Sequence, residues 1–431
     1  MLLILLSAPT YAETLRDALA MAYRTSPVLH GQQALQRATA EGEVQARSGL
    51  LPQVSLDASA GYIREPYDTV HYAAGTVDSN DTAASLTVSQ NLYSFGRIGS
   101  AVRAALARSA AGQQGVRVTE QQLFQAAIGA YMDVLRDSEI LAIRKADLDT
   151  LTRQVANTTS RFNLGADVTR TDVAQAQTQQ DAARAALAAA QAQLDASRAE
   201  YADVIGAPPG SLARPASLPA LPHNLRDALN RAEAASPFIA QSKLAARASQ
   251  DDIATARDAE LPSIGVQASV GAIGPASPFH TGAYQQVASA EVTVTQPLYS
   301  GGLFASQMRA AQDRNEADRQ FAESADRTAR QSVLTAWSAT QAGITATSAD
   351  VAQQQAARVA LKGYQTEYGY GLRSTLDVLI ADENLRAAEV ALAVSRHDTL
   401  IAEASLLAAT GDLRIGKLIQ LPDAPTPHAR R

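Results

Sequence analysis

The chain has 431 residues, 46 % of them hydrophobic but only 5 % aromatic, and no cysteine. That composition excludes disulfides, thiolate metal sites, cysteine nucleophiles and a lipid anchored on cysteine, and it is thin material for several ordinary globular cores. A net charge of −6, from 37 basic and 43 acidic residues with no long run of either sign, argues against a protein that tracks nucleic-acid phosphates.

Residues 2–6 form an apolar block followed by Ser7-Ala8-Pro9-Thr10-Tyr11-Ala12. The block is too short to span a bilayer and reads as the end of a secretory signal over residues 1–12, cleaved before Glu13, although no basic residue precedes it. No later segment approaches 18 consecutive apolar residues. An exported chain of this kind is periplasmic, secreted, or a β-barrel of an outer membrane.

The sequence from Glu13 onward is a duplication. Thr14-Leu-Arg-Asp-Ala-Leu19, Ser26-Pro27 and Leu51-Pro52 return as Asn224-Leu-Arg-Asp-Ala-Leu229, Ser236-Pro237 and Leu261-Pro262. Gln90-Asn-Leu-Tyr-Ser-Phe-Gly96 returns as Gln296-Pro-Leu-Tyr-Ser-Gly-Gly302, and Thr171-Asp172-Val173 as Leu376-Asp377-Val378. Residues 13–206 form the first repeat and 223–418 the second. Between them, residues 207–222 are a proline-rich linker that cannot be helix or central strand. The tail 419–431 has the composition of a disordered end.

Proline placement separates helix from strand inside each copy. Residues 13–48 predict a helical segment before the first strand. A β-hairpin follows over 52–95, where Val54, Leu56, Ala58, Ala60 and Tyr62 alternate along one face and Leu86, Val88, Gln90 and Leu92 return. Residues 52–65 extend to ~46 Å, more than a tilted membrane strand needs. A proline-free helix then covers 97–160, turns near Gly165 and returns over 172–205. The second copy gives a helix over 224–258, a hairpin over 262–300, a long helix over 303–367 and a return helix over 375–410. Each long helix spans ~96 Å, and the two short segments of its copy stacked end to end match it, giving four helical columns.

The columns carry coiled-coil seams. Ala127, Val134, Leu141, Leu148 and Val155 recur every seven residues, with Leu123, Ala130 and Leu151 on the companion seam, which Asp137 and Arg144 interrupt. Small residues (Ala176, Ala183, Ala190, Ser197; Ala381, Ala388, Ser395, Ala402) line the return helices and permit close approach of helix axes. Helices of this kind also suit an outer-membrane-anchored structural or adhesive coiled coil. The membrane-length hairpins favour a channel instead. Four strands cannot close a barrel, and an open edge in lipid leaves costly unpaired backbone groups. Two, three or four copies would give 8, 12 or 16 strands.

These residues resemble the TolC-like outer-membrane channels of type I secretion and multidrug efflux, in their unlipidated branch. The resemblance runs from Leu15 to about Leu418 and rests on Arg161-Phe-Asn-Leu-Gly165 leading into Thr169-Arg-Thr-Asp-Val-Ala-Gln-Ala176, on Tyr368-Gly-Tyr-Gly-Leu-Arg-Ser-Thr-Leu-Asp-Val-Leu379, and on the paired Gln-x-Leu-Tyr-Ser strand ends. It implies an α+β membrane protein in which two β-hairpins per chain contribute to a trimeric 12-strand barrel, continued by an α-helical periplasmic tunnel. The implied location is the outer membrane of a Gram-negative bacterium, with most of the chain in the periplasm. The implied partners are two further copies of the chain, a periplasmic adaptor (membrane fusion protein), an inner-membrane ABC or proton-driven transporter, and outer-membrane lipid, with no nucleic acid. The implied function is passive export, opened at the periplasmic tip.

Carried over position by position, the resemblance makes Thr171, Asp172, Tyr368 and Arg373 the periplasmic gate and Asp377 the pore-constriction ring. A second acidic ring expected three residues on is replaced by Ile380. The tip turns Leu164-Gly165 and Gly371-Leu372 would dock the adaptor, and Arg373 would make a charge-assisted bond to a carboxylate. Asp172 and Asp377 also suit helix caps after a glycine turn. Tyr93 and Tyr299 are placed to form an aromatic girdle at the inner bilayer interface, or to pack the strand-to-helix junctions.

Enzymatic chemistry has little support in the sequence. Gly411-Asp-Leu-Arg-Ile-Gly-Lys-Leu418 has phosphate-loop spacing, but Leu418 stands where a Mg-binding hydroxyl is needed and no strand precedes it. The six histidines are scattered, with no metal-ligand spacing, and no Gly-x-Ser-x-Gly elbow occurs. The expectation is a non-enzyme with neither cofactor nor metal.

Overall fold

The computed structural model describes residues 12–69, 72–165, 168–215, 218, 221–275, 284–414 and 416. The expected signal segment, apart from Ala12, and the expected disordered tail 419–431 lie outside the described residues. The elements run α1 (Leu15–Thr25), α2 (Pro27–Ser48), β1 (Gln53–Thr69), β2 (Tyr72–Tyr93), α3 (Arg97–Asn163), α4 (Arg170–Ile205), α5 (Leu225–Ala235), α6 (Pro237–Asp258), β3 (Ser263–Pro275), β4 (Gln285–Thr295), α7 (Leu303–Gly369) and α8 (Thr375–Ala409). None of the described helices is long and apolar enough to cross a membrane.

Three boundaries differ from the sequence reading. The helical segments 13–48 and 224–258 are each two helices, broken at Ser26-Pro27 and Ser236-Pro237. Proline lacks an N–H and fits the first helical position, while Ser26 turns extended and its Oγ accepts from Leu29 N at 3.3 Å. Strand β1 continues past Glu65 through Pro66 to Thr69. Among the described residues β2 is its one strand neighbour, and an edge strand tolerates a missing donor. Strand β4 stops at Thr295, whereas β2 reaches Tyr93. Pro297, standing where the first copy has Asn91, cannot extend the ladder.

The chain divides into two compact units, each drawing on both copies. One comprises 34–114 and 240–324 and holds a single four-stranded antiparallel sheet of order β1-β2-β3-β4, in which β2 pairs with β3 to join the two hairpins. The register sorts side chains into rows. Val54–Val88–Ala268–Ala290 and Leu56–Leu86–Val270–Ala288 lie on one face, Ser55–Thr87–Ser269–Ser289 and Gln53–Ser89–Gln267–Glu291 on the other. One face is apolar yet exposed, with Leu56 at 73 %; the other is polar. The repeated glutamines brace equivalent junctions: Gln90 Nε2 donates to Leu50 O and Gln296 Nε2 to Glu260 O, each at 3.0 Å.

The other unit comprises 1–33, 115–239 and 325–431. Its main core packs Leu15 and Leu19 of α1 against Phe124, Ile128 and Tyr131 of α3, Leu194 and Tyr201 of α4, and Leu407 of α8. The second copy does likewise on a smaller scale, with Ala228 and Ala232 of α5 against Val333 of α7 and Leu406 of α8. The seam residues Ala127 and Val134 are buried, and so is much of the small-residue stripe: Ala176, Ala183, Ser197, Ala381, Ala388 and Ser395. Asp137, which breaks the seam of α3, is matched on that stripe: its carboxylate accepts from Ser197 Oγ at 2.5 Å and pairs with Arg136 at 2.8 Å.

Candidate functional site: the helical tips

Two helix-turn-helix tips carry the predicted gate residues. At the first, α3 ends with Leu164 N bonded to Ser160 O and Gly165 N to Phe162 O, both at 3.1 Å. At the second, Gly371 N bonds Tyr368 O and Leu372 N reaches Glu367 O, both at 3.0 Å. Gly165 and Gly371 have φ of +71° and +73°, the left-handed conformation in which a helix ends and which glycine adopts without strain. Each turn leaves a leucine in solvent: Leu164 is 84 % exposed and Leu372 73 %.

The return helices start with matching capping boxes. Asp172 Oδ2 accepts from Thr169 N and Oγ1, both at 2.8 Å. Asp377 Oδ2 accepts from Ser374 N at 3.0 Å and from Ser374 Oγ at 2.9 Å. The backbone hydrogen bond, then the hydroxyl, hold each carboxyl below its ordinary range. In both boxes the bonds fall on one oxygen, so the second carboxylate oxygen of Asp377 is not used by the cap. Ile380, one turn further along α8, is half-exposed.

Tyr368 and Arg373 serve different contacts. The Tyr368 hydroxyl accepts from the Arg161 guanidinium, which also lies 5.3 Å from the ring centre, and from Thr375 Oγ1 at 3.4 Å. Arg161 and Tyr368 sit in the last turns of α3 and α7, so this contact joins the two tips. Arg373 instead folds back on its own hairpin: its Nε donates to Glu367 Oε2 at 2.7 Å and its guanidinium lies 4.7 Å from the Tyr364 ring centre. Among the described residues no hydrogen bond joins Thr171 or Asp172 to Tyr368 or Arg373. Sequence reasoning used Arg161 only as part of a motif and passed over Glu367 and Tyr364. The signal that could have found Arg161 is its place one turn before the glycine stop, where the second copy has Glu367.

The expected girdle residues are exposed at the strand-to-helix junctions. Tyr93 stands opposite Ile264 and sets its ring 4.6 Å from Phe95, and Tyr299 lies beyond the end of β4, 91 % exposed. Among the described residues no cluster of His, Asp or Glu could hold a metal ion.

The family profile described as "Outer membrane efflux protein" matches residues 19–207 and 228–412. The chain is 31 % identical to the outer membrane efflux protein BepC of Brucella suis over 415 residues, covering 96 % of this chain and 89 % of that one. It is 28 % identical to the outer membrane protein TolC of Escherichia coli K12, over 97 % and 86 % of the two chains. A crystal structure of a membrane protein from Pseudomonas aeruginosa has the same fold, with a TM-score of 0.81 at 23 % identity over 92 % of this chain and 93 % of that one. None of these likenesses supports the coiled-coil adhesin. The profile match falls in two segments, one in each copy, that together span most of the chain, and the chain belongs to the outer membrane efflux protein family.

Proposed function

We propose that this outer-membrane export channel works as a homotrimer whose three sheets close into one 12-strand barrel and whose helices continue it as a passive periplasmic duct. The sheet carries the reading: among the described residues β1 and β4 each have a single strand neighbour, and one face of the sheet is apolar and exposed. In lipid, that face suits the bilayer while both edges demand partners from other copies. The repeats 13–206 and 223–418, joined by the linker 207–222, then supply equal halves of each subunit's wall.

The duct performs no chemistry of its own, so opening is work done by partners: a periplasmic adaptor and an inner-membrane ABC or proton-driven transporter. Leu164, Gly165, Gly371 and Leu372 offer the adaptor exposed apolar turns. Thr171, Asp172, Tyr368 and Arg373 hold the gate, Asp377 forms the constriction ring, and Tyr93 and Tyr299 sit at the inner bilayer interface. The test is the mass of the detergent-extracted protein combined with single-channel recording in planar bilayers. The expected result is a trimer that conducts; a water-soluble monomer without conductance overturns the proposal.

A further inference from the structure

A cavity of about 250 Å³ lies between α3, α4 and α8, and its polar lining is Arg144, Asp147, Gln179, Asp382, Glu383 and Arg386. Helices α3 and α4 belong to the first copy and α8 to the second, so the cavity sits where the copies meet. Leu151, Ala183 and Leu379 form only a small apolar cluster beside it. Polar contacts therefore carry much of the junction at this level.

The ion pairing inside the cavity is incomplete. Arg386 donates to Asp382 at 3.3 Å and to Glu389 at 3.0 Å, and Arg358 of α7 reaches Glu389 from behind at 3.5 Å. The Nε of Arg386 is buried without an acceptor. Asp147 is 8 % exposed and Asp382 5 %, yet Asp147, unlike Asp382, takes part in no hydrogen bond or ion pair among the described residues. The charged groups facing the pair are Arg144 from α3 and Glu383, Arg386 and Glu389 from α8, while α4 contributes the neutral Gln179. Held there as an anion, Asp147 is cut off from most of the water and has no donor, Glu383 repels it, and it in turn repels Asp382.

We propose that Asp147 and Asp382 form a proton-binding site that fastens α3 of the first copy to α8 of the second. A proton taken from solvent onto one carboxylate oxygen converts repulsion into a carboxyl-to-carboxylate hydrogen bond, made directly or through one of the waters a cavity of this size admits. Burial, the largest influence on both groups, raises the Asp147 and Asp382 carboxyls above their ordinary range, against the pull of Arg386 on each. A carboxyl raised in the folded state binds its proton more tightly there than in the unfolded chain. Its stabilisation is complete below the ordinary aspartate range and is lost as pH rises through the folded value. Mild acid therefore tightens the junction between the copies.

The test is infrared difference spectroscopy of the full-length protein reconstituted in lipid and titrated from neutral to acid pH. The wild type is expected to show the C=O stretch of a protonated carboxylic acid at a pH above that at which exposed aspartates protonate. Asp147→Asn and Asp382→Asn should each diminish that band, and Asp181→Asn, at an exposed site on α4, should leave it whole. Glu120 and Glu403, whose carboxyls burial also raises, account for the band that survives in the two variants. A wild type without the band, or a band untouched by both cavity substitutions, overturns the proposal. Neither readout depends on conductance, so the duct reading stands or falls separately.

Discussion

Arg161 lies in the last turn of α3 and Tyr368 in the last turn of α7, and the guanidinium of the first both donates to the hydroxyl of the second and faces its ring. Two exposed attractions thus act through one pair, a polar link and a cation–π contact, each contributing about 0.2–1 kcal/mol. Tyr368→Phe removes the first and Arg161→Ala both. Conductance should rise in both variants, more in Arg161→Ala, while the thermal midpoint of the assembly barely moves. Arg373→Ser should open the tip less than Arg161→Ala, because Arg373 is tied to Glu367 and Tyr364 of its own hairpin. Equal conductance in Arg161→Ala and wild type would show that the link decorates the tip.

Tyr131 and Tyr201 pin the segment before α1. The Tyr131 hydroxyl bonds Glu13 O at 2.8 Å and Ala213 O at 2.5 Å, and the Tyr201 hydroxyl donates to Glu13 Oε1 at 2.6 Å. Glu13 also pairs as backbone with the linker, through Ser211 O and Ala213 N. Both tyrosines are fully buried, and burial raises both phenols. Tyr131→Phe should destabilise by about 1–3 kcal/mol, since it leaves the part-buried Ala213 O short of its donor while Glu13 O keeps Ala213 N. The readout is faster proteolytic cutting near residues 13 and 210 alongside a lower thermal midpoint, with conductance unchanged.

His397 of α8 meets Asp133 of α3 at 3.0 Å and its neighbour Asp398 at 2.8 Å, with Arg136 at 3.4 Å. Burial lowers the imidazole value, but the two carboxylates outweigh it together with Arg136, and the net direction is upward. A histidine raised in the folded state contributes stability that is fully present below its ordinary value and disappears as pH rises through the folded one. Stability should fall on going from about pH 6 to pH 8. His397→Gln should flatten that slope in thermal unfolding; an unchanged slope would assign the pH dependence to other groups.

The parts of the fold written as periodicity were readable. Proline-free runs gave the long helices to within a few residues, and period-two alternation gave the faces of the sheet. The Ser-Pro breaks were visible as repeat marks but were not read as helix ends, because the amphipathic pattern continues across them and only the local chemistry of Ser26 and Pro27 interrupts it. The tip contacts were out of reach for another reason. Whether Arg373 crosses to the other hairpin or folds back on Glu367 depends on side-chain direction around a glycine turn, which spacing does not encode. The partner of Asp137 was equally hidden: Ser197 looks like one more small residue of the α4 stripe until the two helices are packed.

Asp377 carries two expectations, cap and ring, and its two oxygens allow both. Oδ2 is engaged by Ser374 N and Oγ, which leaves the other oxygen outside the cap and available to the proposed constriction ring. Three such oxygens around a narrow passage concentrate negative potential and attract cations. Because the cap holds the carboxyl below its ordinary range, the charge persists in mild acid and fades only as pH falls through that depressed value. Ser374→Ala removes the hydroxyl half of the cap and should cost about 0.5–2 kcal/mol of helix stability while keeping cation selectivity. Asp377→Asn should abolish both selectivity and block by multivalent cations. Ile380→Asp, half-exposed and one turn along, should deepen the block by adding a second layer of charge. Recordings in planar bilayers with and without a trivalent cation separate the roles: if Asp377→Asn changes stability alone and leaves block intact, the residue is a cap and the pore narrows elsewhere.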